Sequence, residues 1–345
     1  AICGTGIASA ATPALVSVSH ATYMRQGDTV TGTLAQTQPV HIEVALKMRD
    51  RAGLDAFIAS MKSGHVAPMS TEDFMTKHAP GQVQVQTVVN YLTRMGYTNI
   101  VVAPNRMLVS ADGTAATAQR AFLTSMVRVK THDGRVAYAN TTEAKIPALL
   151  RDHILGVVGL QTVNIAHTFA KPLAHPLAQT QAVTGHDPTE FSSIYGAGSS
   201  PTAAGVTVGI FTQGKITQSI TDLNSFTSSH GLATVTTQTV QTGSSSSDAS
   251  GVVEWDLDSQ DIVGMGGGQV GKIIWYNTPT LSEANMDANF NTIVSANAAK
   301  IINVSIGGCE TGADYQTSDQ IFAQGVAQGQ TFSISTGDSG ADECG

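Results

Sequence analysis

Charge and aromatic rings are both scarce in this chain: only 13% of its 345 residues are Asp, Glu, Lys or Arg, and 6% are Phe, Trp or Tyr. A hydrophobic share of 41% nevertheless leaves ample apolar surface to bury, which excludes a disordered acidic chain. Three cysteines are too few for a disulfide scaffold, and 34 glycines without a triplet period exclude collagen. The absence of an apolar run of about eighteen residues excludes a transmembrane helix. A formal net charge of -8 argues against a nucleic-acid partner. What remains is a folded chain whose surface is covered by small polar residues, long enough for about two domains with separate cores.

The net charge conceals a division. Residues 1–173 carry fifteen Lys or Arg against ten Asp or Glu, whereas residues 174–345 carry three against sixteen. Eight of the ten histidines lie at or before His175. A basic front unit and an acidic rear unit are expected to attract near neutral pH and to separate as carboxylates neutralise and histidines gain charge. Between them, Ala170-Lys-Pro-Leu-Ala-His-Pro-Leu-Ala-Gln-Thr-Gln-Ala-Val183 has two prolines and no regular period. It predicts an extended, exposed, cleavable linker over 170–183. The first twelve residues, small and mildly apolar, fit either a signal-peptide remnant or a frayed terminus.

In the front unit, apolar spacing predicts a strand over Val40–Leu46 and helices over Ala52–Ser63, Thr71–His78, Val83–Met95 and Thr114–Leu123. Short strands are expected over Asn99–Ala103 and Met107–Ser110, and a hairpin turns at Asp133-Gly134 between Ser125–Lys130 and Val136–Asn140. The pattern is that of an α+β module with a ferredoxin-like antiparallel sheet. In the rear unit, apolar runs Val206–Phe211, Thr234–Val240, Lys272–Tyr276, Ile301–Ile306 and Thr331–Ser335 are separated by helix-length segments. Alternation of this kind predicts an α/β, doubly wound parallel sheet, whose working residues gather beyond the strands' carboxyl ends.

Two segments could carry chemistry. Glu254-Trp255-Asp256-Leu257-Asp258, followed by Asp261, falls in a helix expected over Val252–Met265. At helical spacing Glu254 and Asp258 share one face and Asp256 points away. On a solvated surface the pair would be an ordinary acidic face; desolvated, it would split its two pKa values and serve as a proton relay. The second segment, Gly337-Asp338-Ser339-Gly340, contains the tetrapeptide that surrounds the nucleophile of trypsin-like proteases. Here it follows a parallel strand, the expected Ala-Ala-His-Cys general-base segment is absent, and the nearest approach to it is Ala166-His167 in the other unit. That leaves Asp338, just past a strand end, as the residue of interest.

Together these segments resemble the sedolisin (serine-carboxyl peptidase) family of acid endopeptidases with a subtilisin-like fold. The resemblance rests on Glu254-Trp-Asp-Leu-Asp258, Lys300-Ile-Ile-Asn-Val-Ser-Ile-Gly-Gly-Cys-Glu310, the strand running to Asp338, and Gly185-His-Asp-Pro-Thr-Glu-Phe-Ser-Ser-Ile-Tyr195. In the front unit, Ser70-Thr-Glu-Asp-Phe74, Asn105-Arg106, Arg120-Ala-Phe122 and Ile146-Pro-Ala148 are similar to a pro-kumamolisin-type activation propeptide. The resemblance implies a propeptide over 1–173 and the first part of a catalytic domain, incomplete at its C-terminus, over 184–345.

It further implies that Glu254 is the general base, that Asp258 holds and tunes it through a shared proton, and that neutral Asp338 donates to the oxyanion. Trp255 and Ser305-Ile306-Gly307-Gly308 are expected to bind substrate, the latter as an edge that pairs with a peptide. The resemblance also implies that Cys309 pairs with Cys344, and a disulfide implies an oxidising, secreted or periplasmic destination; Cys3 is left over. Relatives bind calcium, with ligands expected in the missing C-terminal part and no metal ligand assigned here.

One departure is large. The family's nucleophilic serine sits in a Gly-Thr-Ser-x-x-x-Pro motif, and no Gly-Thr-Ser occurs in the chain. The expectation is therefore a secreted acid endopeptidase zymogen, acting on proteins and peptides, whose serine lies on a second polypeptide or on sequence beyond these residues. The alternatives are a serine-free binding protein on the same fold and an acid protease that uses only the carboxylates Glu254 and Asp258.

Overall fold

A computed structural model of the chain describes residues 14–170, 185–198, 202–311 and 315–338. In the front unit, β1 (Leu15–Ser19), β2 (Thr29–Thr33) and β3 (Pro39–Leu46) lead into α1 (Arg51–Lys62), α2 (Thr71–Lys77) and α3 (Gln82–Met95). There follow β4 (Thr98–Val102), β5 (Leu108–Thr114), α4 (Ala115–Phe122), β6 (Met126–Lys130), β7 (Val136–Asn140), β8 (Ala144–Pro147) and β9 (Ile154–Val158).

The helices begin and end on local chemistry. The Ser70 side chain accepts from the Asp73 amide at the start of α2, and Gly96, at a φ of 90°, closes α3. Strands β4, β5, β3 and β9 form one antiparallel sheet in that spatial order. With β3 as the first strand and β9 as the last, this is the split β-α-β pair of the ferredoxin-like arrangement. Two smaller sheets flank it, one of β2, β6 and β7 and the other of β1 and β8.

In the rear unit, a 3-10 turn at Pro188–Glu190 precedes α5 (Phe191–Ile194), then β10 (Thr207–Gln213), α6 (Thr217–Ser229), β11 (Thr237–Gln241) and α7 (Val252–Met265). The chain continues through β12 (Lys272–Thr278), α8 (Glu283–Ala296), β13 (Ile301–Val304), α9 (Tyr315–Ala327) and β14 (Thr331–Ile334). The strands stand in the order β11-β12-β10-β13-β14, every neighbouring pair parallel. The chain passes from β10 to the edge strand β11, returns to β12 beside β10, and then crosses to β13 and β14 on the other side, so the order reverses there and leaves a crevice at the carboxyl ends of β10, β12 and β13.

The two units share a core. Ala45, Met48, Leu54, Phe74 and Met107 of the front unit pack in one apolar cluster with Phe290, Ile293, Val294 and Ile321 of the rear. Polar contacts across this seam are mostly neutral amides. Buried Asn105 donates to Asn291 Oδ1 at 2.6 Å and to Gln324 Oε1 at 2.8 Å, and accepts from Asn291 Nδ2 at 3.1 Å. Gln320 of α9 binds the carboxyl end of β3, donating to the Leu46 carbonyl at 2.8 Å and accepting from the Met48 amide at 3.1 Å.

An Arg51–Asp319 ion pair at 2.9 Å lies at the exposed rim. The contacts along this seam are thus mainly apolar and amide ones that pH does not titrate. A different titratable cluster faces this seam. His41 of β3 lies 2.6 Å from Asp112 and 3.5 Å from Glu43, which is only 2% exposed. Buried Glu43 and then Asp112 hold His41 up to about 9 despite its own partial burial.

Candidate functional site

Helix α7 starts on Gly251 with two valines, and its first turn carries Glu254, where the helix N-terminus favours an anion. Glu254 is only 8% exposed. One turn on, Asp258 occupies the same face, as the spacing requires. Its Oδ1 accepts from Ser305 Oγ at 2.6 Å, and Ser305 Oγ in turn accepts from Asn303 Nδ2 at 3.1 Å. Asp258 Oδ2 is buried without a hydrogen-bond partner among the described residues.

Burial pushes Asp258 up to about 7; the Ser305 hydrogen bond works against that shift, and the neighbouring Glu254 charge adds to it. Asp258 is therefore a desolvated carboxyl that can hold its proton near neutrality, one helical turn from Glu254. Asp256 projects toward α6, where burial raises its pKa and Ser219 opposes that rise.

Trp255 is not a cleft residue. It is fully buried, 0% exposed, with its indole N–H donating to the Gln213 carbonyl at 3.0 Å. It cannot meet a substrate; it fastens the start of α7 to the carboxyl end of β10, and the expectation of substrate contact is corrected accordingly. The bend after β14, with Gly337 at a φ of 90°, presents Asp338 to solvent four residues beyond the strand that pairs with β13. Ile306 is buried and, with Gly307, Gly308, Met286, Phe290 and Ile334, lines a largely apolar cavity of about 290 Å3. Cys309 is disulfide-bonded. Its expected partner Cys344, together with Cys3, Ser339, the first twelve residues and linker positions 171–183, lies outside the described residues.

The feature that sequence reasoning missed is what crosses this cleft. Residues Ile165 to Ala170 lie along it as an extended strip. Ile165 bridges Ser282 in antiparallel fashion, and Ala166 donates to the Leu281 carbonyl at 3.1 Å. His167 and Gly307 exchange both backbone hydrogen bonds, at 2.9 and 3.1 Å. The Phe169 ring lies against Gly307, its Cζ 2.7 Å from where a Cβ would stand, and stacks edge-on with His167 at 5.1 Å.

At the end of the strip, the amides of Phe169 and Ala170 both donate to Glu254 Oε2, at 2.9 and 2.6 Å. The linker's first residue is consequently half-buried and tied down rather than free. No apolar alternation announces this strip; Gly307-Gly308 beside a strand end was the one available signal, since glycines there admit a second backbone closely.

Comparison with known proteins agrees with this geometry. The pro-kumamolisin activation domain matches residues 26–163. Sedolisin of Pseudomonas sp. (strain 101) is 45% identical over 328 residues, covering 90% of this chain and 56% of that protein. Xanthomonalisin of Xanthomonas sp. (strain T-22) is 42% identical over 334 residues, covering 89% of this chain and 40% of that protein.

A solved structure of Pseudomonas sedolisin (serine-carboxyl proteinase) complexed with two molecules of pseudo-iodotyrostatin is 51% identical over 48% of this chain and 47% of that chain, with a TM-score of 0.45. The chain spans about half the length of the curated relatives it matches. With an activation domain at the front and close identity running on through the parallel sheet and its carboxylate helix, the chain belongs to the sedolisin family of serine-carboxyl peptidases.

Proposed function

We propose that this chain is the propeptide, over 1–173, and the first part of the catalytic domain, over 184–345, of a secreted or periplasmic endopeptidase zymogen that hydrolyses peptide bonds in proteins at acid pH. The observation that carries the reading is the desolvated pair on α7: Glu254 aimed at a backbone amide in the cleft, and Asp258 beside it with a pKa raised by burial.

In this mechanism a serine hydroxyl from outside the 345 residues attacks the scissile carbonyl. Glu254 takes its proton and returns it to the leaving nitrogen, while Asp258, fixed by Ser305, shares a proton with Glu254. Asp338 in its neutral form donates to the developing oxyanion, a role a carboxyl can fill only while protonated, which confines activity to acid. The Gly307 edge aligns the substrate backbone. The serine-bearing segment is the partner this proposal requires.

The disulfide at Cys309 supports an oxidising compartment. Among the described residues no helix is long and apolar enough to cross a membrane. Nor do the described residues include a group of three or more His, Cys, Asp or Glu able to hold a metal. Calcium binding is accordingly proposed only for segments outside them, and no step uses it.

The test is inhibition of the complete protein at acid pH by a peptide aldehyde, which traps a serine, against a statine-type peptide, which mimics the intermediate of a carboxylate-only protease. Inhibition by the aldehyde alone is expected. Inhibition by the statine alone would establish the carboxylate mechanism, and a complete protein without any hydrolysis would be a binding protein.

A further inference from the structure

We infer that the peptide bond between Phe169 and Ala170 is the first bond the complete protein cuts in itself. The inference deepens the peptidase reading and depends on it. Three independent contacts place that bond. Backbone pairing of His167 with Gly307 lays the strip antiparallel along the edge expected to hold a substrate. The Phe169 side chain packs directly on Gly307, so the residue preceding the bond has a seat in the cleft. Ala170 N, the nitrogen that must leave as an amine, is 2.6 Å from Glu254 Oε2, within reach of the group that would protonate it. The Phe169 amide shares that oxygen at 2.9 Å, which makes the bond before Phe169 the alternative that the experiment must separate.

The chemistry balances with the serine and a water as the reactants from outside the chain. The serine oxygen bonds to the Phe169 carbonyl carbon and its proton passes to Glu254. The bond from that carbon to Ala170 N breaks, and Glu254 delivers the proton to the departing amine. Water then adds to the acyl carbon, restoring the serine hydroxyl and leaving a carboxylate on Phe169. The same seat makes an aromatic residue before the scissile bond the expected preference toward other proteins.

The experiment uses the full-length zymogen bearing the serine segment, purified at neutral pH and then acidified. The first products are identified by intact mass and N-terminal sequencing, and hydrolysis of an added unfolded protein is followed in parallel. The first pair is expected to be residues 1–169 and a chain beginning at Ala170, formed at a rate independent of protein concentration. Ala170→Pro, which removes the amide hydrogen and distorts the bond, is expected to abolish this pair. A first cut at Thr168–Phe169 or anywhere in 171–183, or a rate that rises with concentration, would overturn the inference while the added protein is still hydrolysed. Failure to hydrolyse the added protein would instead overturn the peptidase reading beneath it.

Discussion

Replacing Asn105 with alanine should loosen the front unit from the rear more than any surface change. Asn105 is 1% exposed and its side chain meets Asn291, Gln324 and the Met107 amide, all buried. Truncation leaves Asn291 and Gln324 without their partner in a place water reaches poorly, at roughly 1–3 kcal/mol for each orphaned group. Two such groups give about 2–6 kcal/mol, or roughly a 30- to 20,000-fold shift in the equilibrium that holds the units together.

Urea titration of the whole chain at pH 7, read by tryptophan fluorescence, measures the loss, because both tryptophans lie in the rear unit. Gln86→Ala, on the exposed face of α3, is the control and should stay within about 0.5 kcal/mol. Replacing Asn105 and Asn291 together with leucine should cost less than the sum of the single changes, since the two no longer orphan each other and only Gln324 and the Met107 amide lose a partner. A loss below about 0.5 kcal/mol for Asn105→Ala would refute the claim that the seam depends on this amide network.

Three further outcomes follow from the same geometry. Asp258 has its pKa raised in the folded state, so its protonated form is favoured by folding at low pH, and that contribution is lost as pH rises from about 4 through about 7. Asp258→Asn should therefore raise the melting temperature at pH 8 and change it little at pH 4; an equal change at both would contradict the burial argument. His41, raised to about 9 between Glu43 and Asp112, contributes stability fully present below its ordinary value near 6.5 and lost as pH climbs through about 9. His41→Gln should destabilise the chain at pH 6 and not at pH 10, as thermal melts would register. Gly307→Val, whose Cβ would stand 2.7 Å from the Phe169 ring, should expel the strip. Limited proteolysis by an added protease should then cut within 165–170 several times faster than in the parent chain, and unchanged protection would refute the packing.

Much of this was legible in residue patterns, for identifiable reasons. Five apolar runs at helix-length intervals specify a parallel sheet because strands buried on both faces read as continuous apolar segments. The five observed strands fall on those runs, ending within a few residues of the expected limits. The Glu254 and Asp258 pair was legible because helical spacing alone places i and i+4 together.

Trp255 was misread because helical position does not distinguish the core from a cleft wall: its indole turns back to Gln213, a contact no periodicity encodes. Strands β1, β2, β8 and β9 were missed: each is four or five residues long, which leaves a period little room to develop, and none of them adjoins a helix or hairpin turn that the sequence announces. The Ile165 to Ala170 strip was invisible for a different reason. Its order comes from Leu281, Gly307 and Glu254, all more than eighty residues away, and nothing local in Ala166-His167-Thr168-Phe169 demands an extended form.

The proton relay on α7 is tested most directly by the pH profile of peptide hydrolysis in the complete protein carrying Glu254→Gln. The amide keeps the size of Glu254 and can still occupy its place, but it neither takes the serine proton nor returns it to the leaving nitrogen. Loss of general acid-base transfer should lower kcat by roughly 10²- to 10⁴-fold across the acid range, with KM nearly unchanged and the fold intact by circular dichroism. A variant that retains the parent's kcat and acid optimum would contradict the assignment of Glu254 as the base.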